Sequence, residues 1–545
     1  MSRWIVVFVG LLINNWLYAQ VDEVVPFTSS NLPIIVIDTH GAFIADEPKT
    51  TVDMGVIDNG PARNNITDPF NNYSGKIGIE LRGSSSQSFP KKQFGIELRD
   101  DTGMGIDAPL LSLPEEEDWV LFAPYNDKSL MRDALAYKLG RDLGGYAPRT
   151  KFCELVLNGV YQGVYVLIEK IKRDKNRLDI STLSSEEISG DDLTGGYIIK
   201  IDKFTGGGGD GWPSAYKPPY ASDQEVFFQY EYPKAANIAT EQRAYIQQYV
   251  RNFEDVLAGS TFADPVNGYS KYIDVDSFVD FLIIQEVTKN VDGYRLSTFF
   301  HKQKDSQGGK LVMGPIWDFN LGFGNADYCT SGNPEGFVLD FNVLCSYDYW
   351  LIPFWWKRLM QDNNFRIKVA NRWTELRTST LSVNSIHAYI DSVYTVLNLE
   401  SQQRNFKAWK VLNAYVWPNY YVGPTFKSEV DWLKGWVSQR LSWLDQHMPS
   451  LVTAVALPEN NSADVSVFPN PFSSDVSFNY TLQRPGPIRL RIFDSLGRII
   501  HTVSLEHEQP GSYAYSLNAD VPASVYYYTL DQGSTTIGNG TINKK

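Results

Sequence analysis

The sequence predicts an α+β protein of two lobes, followed by a smaller antiparallel β-sandwich. Three observations lead to this fold class. Alternating apolar residues, typical of strands, dominate up to Lys203; helical spacing begins near Thr240; and short alternating segments return after Pro449. An enzyme with a cleft between a strand-rich lobe and a helical lobe fits this order.

Residues 1–20 have the features of a secretory signal peptide. A basic start is followed by the apolar run Trp4–Ile13 and by Leu17-Tyr-Ala19, a cleavage sequence before Gln20. Because this run is shorter than the ~20 residues needed to cross a bilayer, cleavage is favoured over the alternative of an N-terminal membrane anchor. No later segment is apolar enough to span, so we expect an exported chain with no transmembrane segment after cleavage.

The composition excludes several classes of partner and site. The 545 residues are 43% hydrophobic, with a net charge of −14 and a pI near 5.0, which argues against binding to nucleic acid or anionic membrane. Three cysteines and six histidines offer no zinc-binding spacing. In an oxidising compartment Cys329 could pair with Cys345, whereas Cys153 lies in an apolar strand segment and is expected to be a buried, inert thiol.

The first predicted elements are strands. Residues 21–75 contain short β-like runs between turn residues and are expected to form a small β region leading into a main domain at 76–450. Within that domain the segments Ile77–Leu81 and Phe94–Leu98 alternate apolar and polar residues, which predicts two half-buried strands.

The connection between these strands, Arg82–Pro90, is small, polar and rich in hydrogen-bond donors. Counting the alternation back from Phe94 places Lys92 on the apolar face, where an ammonium is costly unless an anion meets it. A strand, a Gly/Ser loop and an inward lysine would suit a polyphosphate. The alternative is a lysine at a frayed strand start whose side chain reaches water.

The elements that follow change from strands to helices. Asn126–Ser129 offers caps for a helix ending near Leu143, and Asn158-Gly159 is typical of a tight hairpin turn. The tract Gly206–Gly209 lacks the Lys-Ser/Thr of a phosphate loop and is expected to be a surface turn. The remaining predictions are strands at Cys153–Leu157, Val160–Glu169 and Gly196–Lys203, and helices around Ile246–Val256, Phe278–Val287, Trp350–Leu376, Ile386–Leu399 and Phe426–Met448.

Two carboxylates, Asp292 and Asp318, sit at the ends of a predicted hairpin formed by Leu296–Lys302 and Leu311–Trp317. A hairpin brings its ends together, so both acids are expected in one small volume. Converging carboxylates repel each other and are costly to bury without a cation, which suits a magnesium nucleotide. The alternative is that both are hairpin-end caps forming Asx-type turns.

Five strings in this order resemble the spore-coat-protein-H (CotH) kinase-like family over roughly residues 75–445. They are Arg82-Gly-Ser-Ser with Pro90-Lys-Lys92; Trp119 with Asp127-Lys-Ser-Leu-Met-Arg132; Leu157–Glu169; Asn290-Val-Asp292; and Pro315-Ile-Trp-Asp318-Phe. The resemblance implies a divergent, two-lobed protein-kinase-like fold. It also implies binding of ATP with Mg2+ or Mn2+, and transfer of the γ-phosphoryl group to Ser or Thr of a protein substrate.

The resemblance also implies roles for particular residues. Nucleotide binding is expected at Arg82, Ser84 and Lys92, and at Glu169 near the segment that joins the lobes and lines the adenine pocket. Asp292 would orient the acceptor hydroxyl and accept its proton. Asp318 would hold metal, with Ser297 and Asn320 as further candidate ligands.

The chain departs from the family pattern at three places. Many members have Asn where this chain has Ser297, and Asp where it has Asn320, so metal affinity is expected to be reduced. The helix expected to pair with Lys92 contains no Glu, which leaves Asp133 and Glu154 as candidate partners. These departures support an alternative function, a catalytically weak or inactive kinase-like surface binding protein. A hydrolase using the two aspartates ranks last.

A linker at 451–463 separates a C-terminal segment, 464–545, with short strands that predict a small antiparallel β-sandwich. Its start, Phe468-Pro-Asn-Pro-Phe472, and its basic end resemble the type A sorting domain of the type IX secretion system. That resemblance implies the type IX machinery as a partner and a secreted or surface-attached protein. The alternative is an immunoglobulin-like adhesion module.

Overall fold

The computed structural model describes residues 21–203, 210–221, 223–449, 465–482, 485–494, 498–507, 509–518, 521–532 and 535–545. The predicted signal peptide, the Gly206–Gly209 tract and the predicted linker lie outside these residues. The chain forms two compact units, Met1–Val452 and Thr453–Lys545. The first combines strands and helices and the second consists of antiparallel strands, so the α+β class is confirmed.

The first unit begins with a closed barrel of seven strands: β1 Ile34–Asp38, β2 Thr50–Ile57, β3 Tyr73–Leu81, β4 Phe94–Arg99, β5 Asp118–Phe122, β6 Thr150–Leu157 and β7 Val160–Glu169. Around the barrel these strands have the order β6-β7-β5-β4-β3-β2-β1. The parallel pair β6–β1 closes the barrel, and its other neighbours are antiparallel. Inward side chains such as Ile77, Ile79, Phe94, Ile96 and Leu98 fill the interior, so the two strands predicted from alternation are confirmed.

The β-like runs of residues 21–75 were predicted to form a small β region leading into the main domain, and two of them are strands of the barrel. Strands β1 and β2 are integral to the barrel, because β1 pairs with both β2 and β6. Without them the barrel would have two open edges, which is unfavourable for an exposed sheet.

A second sheet has the order β9-β10-β8-β11-β12. Its strands are β8 Tyr197–Ile201, β9 Gly211–Pro213, β10 Phe227–Tyr232, β11 Thr298–Lys302 and β12 Leu311–Met313. The predicted hairpin is confirmed as β11 and β12, which pair antiparallel with Phe300 opposite Met313. Each strand is shorter than predicted, and a 3-10 turn at Asp305–Gln307 connects them.

Helices cover this sheet and the outer wall of the barrel. The main ones are α1 Arg132–Asp142, α2 Thr240–Ala258, α3 Val275–Thr288, α4 Phe354–Leu359, α5 Asn363–Arg377, α6 Val383–Asn398, α7 Ser401–Ala408 and α8 Phe426–His447. Two helices, α4 and α5, replace the single helix predicted over Trp350–Leu376, because Asp362 caps the start of α5 by accepting the Asn364 N–H. In the residues described, no helix has both the length and the apolar character needed to cross a bilayer.

The second unit contains two antiparallel sheets. One consists of Ser466–Phe468, Asp475–Leu482 and Gly511–Asn518; the other of Ile488–Phe493, Ile499–Leu505, Ser524–Gln532 and Thr535–Lys544. Both contribute to one apolar cluster that includes Phe478, Leu490 and Tyr528. Short strands with alternating burial form this core, as their sequence pattern predicts.

Candidate active site

Asp292 and Asp318 lie together in the first unit. Helix α3 ends at Thr288, and Asn290 then links the two acidic segments. Its Nδ2 donates to the Asp318 carbonyl (3.2 Å), and its Oδ1 accepts the Asp292 N–H (3.3 Å). The carboxylates are close enough for Asp292 to raise the pKa of Asp318.

Asp318 has a raised pKa. Its side chain has exposed surface, but the surrounding protein desolvates the carboxylate, and this desolvation, followed by repulsion from Asp292 and Asp202, raises its pKa to about 6. The backbone there is left-handed, with φ +65° at Asp318 and +46° at Ser297. Such strain in residues other than glycine is typical of functional sites.

A third carboxylate, Asp202, belongs to the same cluster and was not identified from the sequence. It follows strand β8, accepts the N–H of Lys203 at 2.8 Å and also that of Ser297. Burial raises its pKa. In the sequence, Asp202 stands at the end of the predicted strand Gly196–Lys203, which could have marked it as a candidate. The neighbouring residues do not show which distant segment its side chain faces.

Lys203 and Arg295 lie near the acids, and a further cation, Arg82, faces Asp318. Its guanidinium lies 5.4 Å from the centre of the Trp317 ring, beside Asp318. Burial lowers the Arg82 pKa, and attraction to Asp318 opposes that shift. A guanidinium donates in a planar fork that matches phosphate oxygens. Among the residues that the structure describes, Arg82 is therefore the cation best suited to bind an anion at this site.

Lys92 is not the inward lysine, so the expectation from alternation is wrong. Strand β4 starts only at Phe94 and a bend precedes it, which interrupts the alternation. Lys92 donates to the Gln87 carbonyl (2.7 Å), and burial alone lowers its pKa. Lys91 is the buried one: its Nζ donates to the Val164 carbonyl (2.6 Å) and to Asn405 Oδ1 (2.9 Å).

Glu169 does not have the surface that a nucleotide ligand requires. It ends strand β7 as predicted but is completely buried. Its carboxylate accepts from the Arg149 N–H and Nε, both at 2.9 Å, and from the Tyr146 hydroxyl at 3.3 Å. These contacts anchor Arg149 before strand β6 and occupy both carboxylate oxygens of Glu169.

The other predicted site residues have different settings. Ser84 is exposed at the start of a 3-10 turn, Ser85–Ser88. Ser297 is half-buried between Asp292 and strand β11. Asn320 donates from Nδ2 to Asn126 Oδ1 (3.2 Å), so only its Oδ1 remains to coordinate a metal.

Neither candidate partner of Lys92 pairs with it. Asp133 is buried on α1 and accepts the Phe319 N–H at 2.6 Å, which anchors the segment carrying Asp318. Burial raises the Asp133 pKa well above its usual value. Glu154 forms a bidentate pair with Arg404, both contacts at 3.0 Å.

A cavity of about 590 Å³ lies beside the segment that follows Glu169. Its lining includes Lys170, Ile171, Ile198, Glu231 and Lys234. Glu231 pairs with Lys200 at 3.3 Å and lies within electrostatic reach of Arg82. The cavity is therefore a neighbour of the acidic cluster.

A separate group of acids, Glu116, Glu117 and Asp118, has carboxylate oxygens close together. A lysine already occupies the space between them, since Lys172 Nζ lies 2.8, 2.6 and 3.0 Å from the three. Lys49 also contacts Asp118 at 3.0 Å. These cations neutralise the group without a metal.

Residues 79–444 match the family described as CotH kinase protein. The chain belongs to this family. Residues 466–542 match the secretion system C-terminal sorting domain. Both resemblances predicted from sequence strings are confirmed, and this CotH-family protein carries the domain that directs type IX secretion.

No curated protein matches the chain. Among solved structures, the Pseudomonas fluorescens alkylpurine DNA glycosylase AlkC bound to DNA containing an abasic site analog is similar over 38% of this chain and 68% of that one. It is 10% identical with a TM-score of 0.12, and nothing about fold or function is taken from it. Asp202, Arg82, Asp292 and Asp318 all lie within the CotH match.

Proposed function

We propose that this CotH-family protein is a secreted atypical protein kinase that transfers the γ-phosphoryl group of ATP to Ser or Thr of extracellular or surface proteins. The observation that carries the proposal is the convergence of Asp292, Asp318 and Asp202 with Arg82 beside them. The barrel and the helical part correspond to the two lobes in this proposal. The sorting domain supports export to the surface by the type IX machinery.

The nucleotide would lie along one face of strand β8. Ile198 lines the cavity, Lys200 pairs with Glu231, and Asp202 belongs to the acidic cluster. Alternate strand residues share a face, and four residues span about 13 Å. A nucleoside triphosphate can cover that distance, with its base in the cavity and its phosphates beside Arg82. Ser84 and Lys92 flank the same loop and remain candidate contacts.

The donor set fits Mg2+ or Mn2+. Asp318 and Asp202 would hold the ion with oxygens of Ser297 and Asn320, because hard divalent cations prefer oxygen ligands. Burial, and then repulsion from Asp292 and Asp202, raise the pKa of Asp318, and a bound cation would relieve that repulsion. A bound ion would neutralise charge on the phosphate oxygens during transfer.

Asp292 would orient the acceptor. Its Oδ1 accepts from Arg295 Nη2 at 2.7 Å, which leaves Oδ2 for the acceptor hydroxyl. The carboxylate would accept the hydroxyl proton as the oxygen attacks phosphorus. Asn290 Oδ1 accepts the Asp292 N–H at 3.3 Å and so holds the backbone that carries this carboxylate.

A second candidate is a surface binding protein without turnover. Exposed aromatic residues support it, including Tyr347, Tyr349, Tyr415, Trp417 and Tyr420. Such side chains are typical of recognition surfaces.

The test is phosphoryl transfer from labelled ATP with Mn2+ by the mature chain. Asp292→Asn and Asp318→Asn should each lower transfer at least about 100-fold, because both act on the reacting groups. Asp391→Asn is the matched control, since this exposed acid pairs only with Lys434 on the helical surface. Nucleotide binding by the wild type without any transfer would reject the kinase and favour the binding protein.

A further inference from the structure

Arg295 occupies an unusual position beside Asp292. Its guanidinium is buried and donates to four groups, of which three are the Val291 carbonyl (from Nε, 3.0 Å), the Trp350 carbonyl (from Nη1, 2.9 Å) and Asp292 Oδ1 (from Nη2, 2.7 Å). Asp348 Oδ1 lies 3.2 Å from Nη1. Arg295 therefore joins the acid to a segment about fifty residues further along the chain.

We call that segment, Cys345–Trp350, the strap. Its conformation depends on a short series of contacts. The Asp348 N–H donates to the Cys345 carbonyl (2.9 Å), and Asp348 Oδ1 accepts the Trp350 N–H (2.8 Å). Cys345 is bonded to Cys329. The disulfide thus fixes the end of the strap that positions both acceptors of Arg295 Nη1.

The other end of the disulfide also lies at the acidic site. Cys329 directly follows Tyr328, whose pKa is raised by burial and then by the nearby Asp292. The Tyr328 ring is nearly parallel to that of Trp417, at 6° with centroids 6.2 Å apart. One covalent bond therefore joins two segments that border Asp292.

We propose that Arg295 is a positioning residue for Asp292, and that the Cys329–Cys345 disulfide keeps the strap in the place where Arg295 holds the carboxylate. The inference rests on the proposed function for its effect on transfer. Its structural part, order in residues 291–297 that depends on the disulfide, can be measured without any transfer. A dithiol reductant would supply two electrons and two protons, giving two cysteine thiols and the oxidised dithiol.

The experiment compares the oxidised mature chain, the same chain treated with dithiothreitol, and a Cys329→Ala/Cys345→Ala variant. Amide hydrogen exchange is followed in residues 291–297 and in barrel strands β3 and β4. Reduction should accelerate exchange in 291–297 at least about tenfold while barrel exchange stays constant. The double variant should match the reduced protein and show no response to dithiothreitol.

Arg295 itself is tested by Arg295→Ala and Arg295→Lys, with Arg377→Ala as control because Arg377 pairs with Asp445 between two distant helices. Transfer should fall about 10- to 100-fold in Arg295→Ala, as expected when a charge-assisted hydrogen bond is lost, with KM for ATP nearly constant. Arg295→Lys should recover part of the lost transfer rate, since an ammonium keeps the positive charge but not the planar donor geometry of the guanidinium.

The outcomes separate the two proposals. Faster local exchange on reduction together with lower kcat supports the positioning role. Faster exchange in residues 291–297 of a protein that transfers no phosphoryl group rejects the proposed kinase activity but supports the role of the disulfide in holding the strap. Unchanged exchange in 291–297 after complete reduction, or an Arg295→Ala variant with wild-type kcat, overturns the inference.

Discussion

At the residue scale, the adjacent lysines 91 and 92 show how sensitive a side-chain assignment is to where a strand begins. Both precede β4, and only a chain extended through residue 92 would have turned Lys92 inward. The bend instead directs Lys91 to Val164 and Asn405. Lys91 thereby links the barrel to helix α7, and Arg82 rather than Lys92 lies near Asp318.

The first prediction concerns this pair. Lys91→Ala should lower the free energy of unfolding by roughly 2–4 kcal/mol, because it removes a buried donor from the Val164 carbonyl and from Asn405 Oδ1, which then accepts from the Val164 N–H alone. Lys92→Ala should cost less than about 1 kcal/mol, since its ammonium is half-exposed. Urea unfolding of both variants measures the difference. Equal losses would contradict the assignment of Lys91 as the structural lysine.

A second prediction concerns Asp202. Asp202→Asn should weaken Mn2+–ATP binding about tenfold or more, because it removes one charged oxygen ligand from the proposed metal site. The measurement is the rise in Tm with increasing Mn2+–ATP, which reports affinity for the folded state. Asp223→Asn, an exposed acid outside the cluster, is the control. If both variants respond like the wild type, Asp202 is not a ligand.

At the element scale, a buried acid of helix α2 contacts helix α4 and the segment that follows strand β9. Glu254 Oε1 accepts from the Ser214 hydroxyl (2.7 Å) and from Trp355 Nε1 (2.9 Å). Burial raises the Glu254 pKa to about 7. Below about pH 7 this buried carboxyl is therefore neutral at the point where the three segments meet.

The third prediction follows from the sign of that shift. Between about pH 4.5 and 7 the unfolded chain loses the Glu254 proton while the folded chain keeps it, so the stability from this group falls as pH rises. Glu254→Gln should therefore match the wild type near pH 4.5 and be more stable at pH 8 by up to about 3 kcal/mol. Urea unfolding at both pH values tests it. A difference independent of pH would contradict the raised pKa.

At the whole-molecule scale, the chain consists of a large α+β unit and a smaller antiparallel one. The outer wall of the barrel and the helical part share an apolar cluster, which contains barrel residues such as Val164 and Ile168 and helix residues such as Leu135 and Phe281. A shared core of this kind predicts one cooperative transition for the large unit.

The fourth prediction concerns the sorting domain. Because the two units have separate apolar clusters, deletion of residues 465–545 should leave the Tm of the large unit within about 2 °C of its value in the full chain. Differential scanning calorimetry of the full and shortened chains checks this. A large drop in Tm would show that the sorting domain stabilises the CotH domain.

The sequence by itself determined the features that depend on neighbouring residues. Alternation identified strands β3 and β4, helical spacing identified α2 and α3, and the hairpin β11–β12 explains why Asp292 and Asp318 converge. Only the tertiary structure decided that β1 pairs in parallel with β6, that Asp202 after β8 lies near Asp318, and that Arg82 rather than Lys92 faces Asp318. These depend on contacts between distant segments, for which local periodicity carries no information.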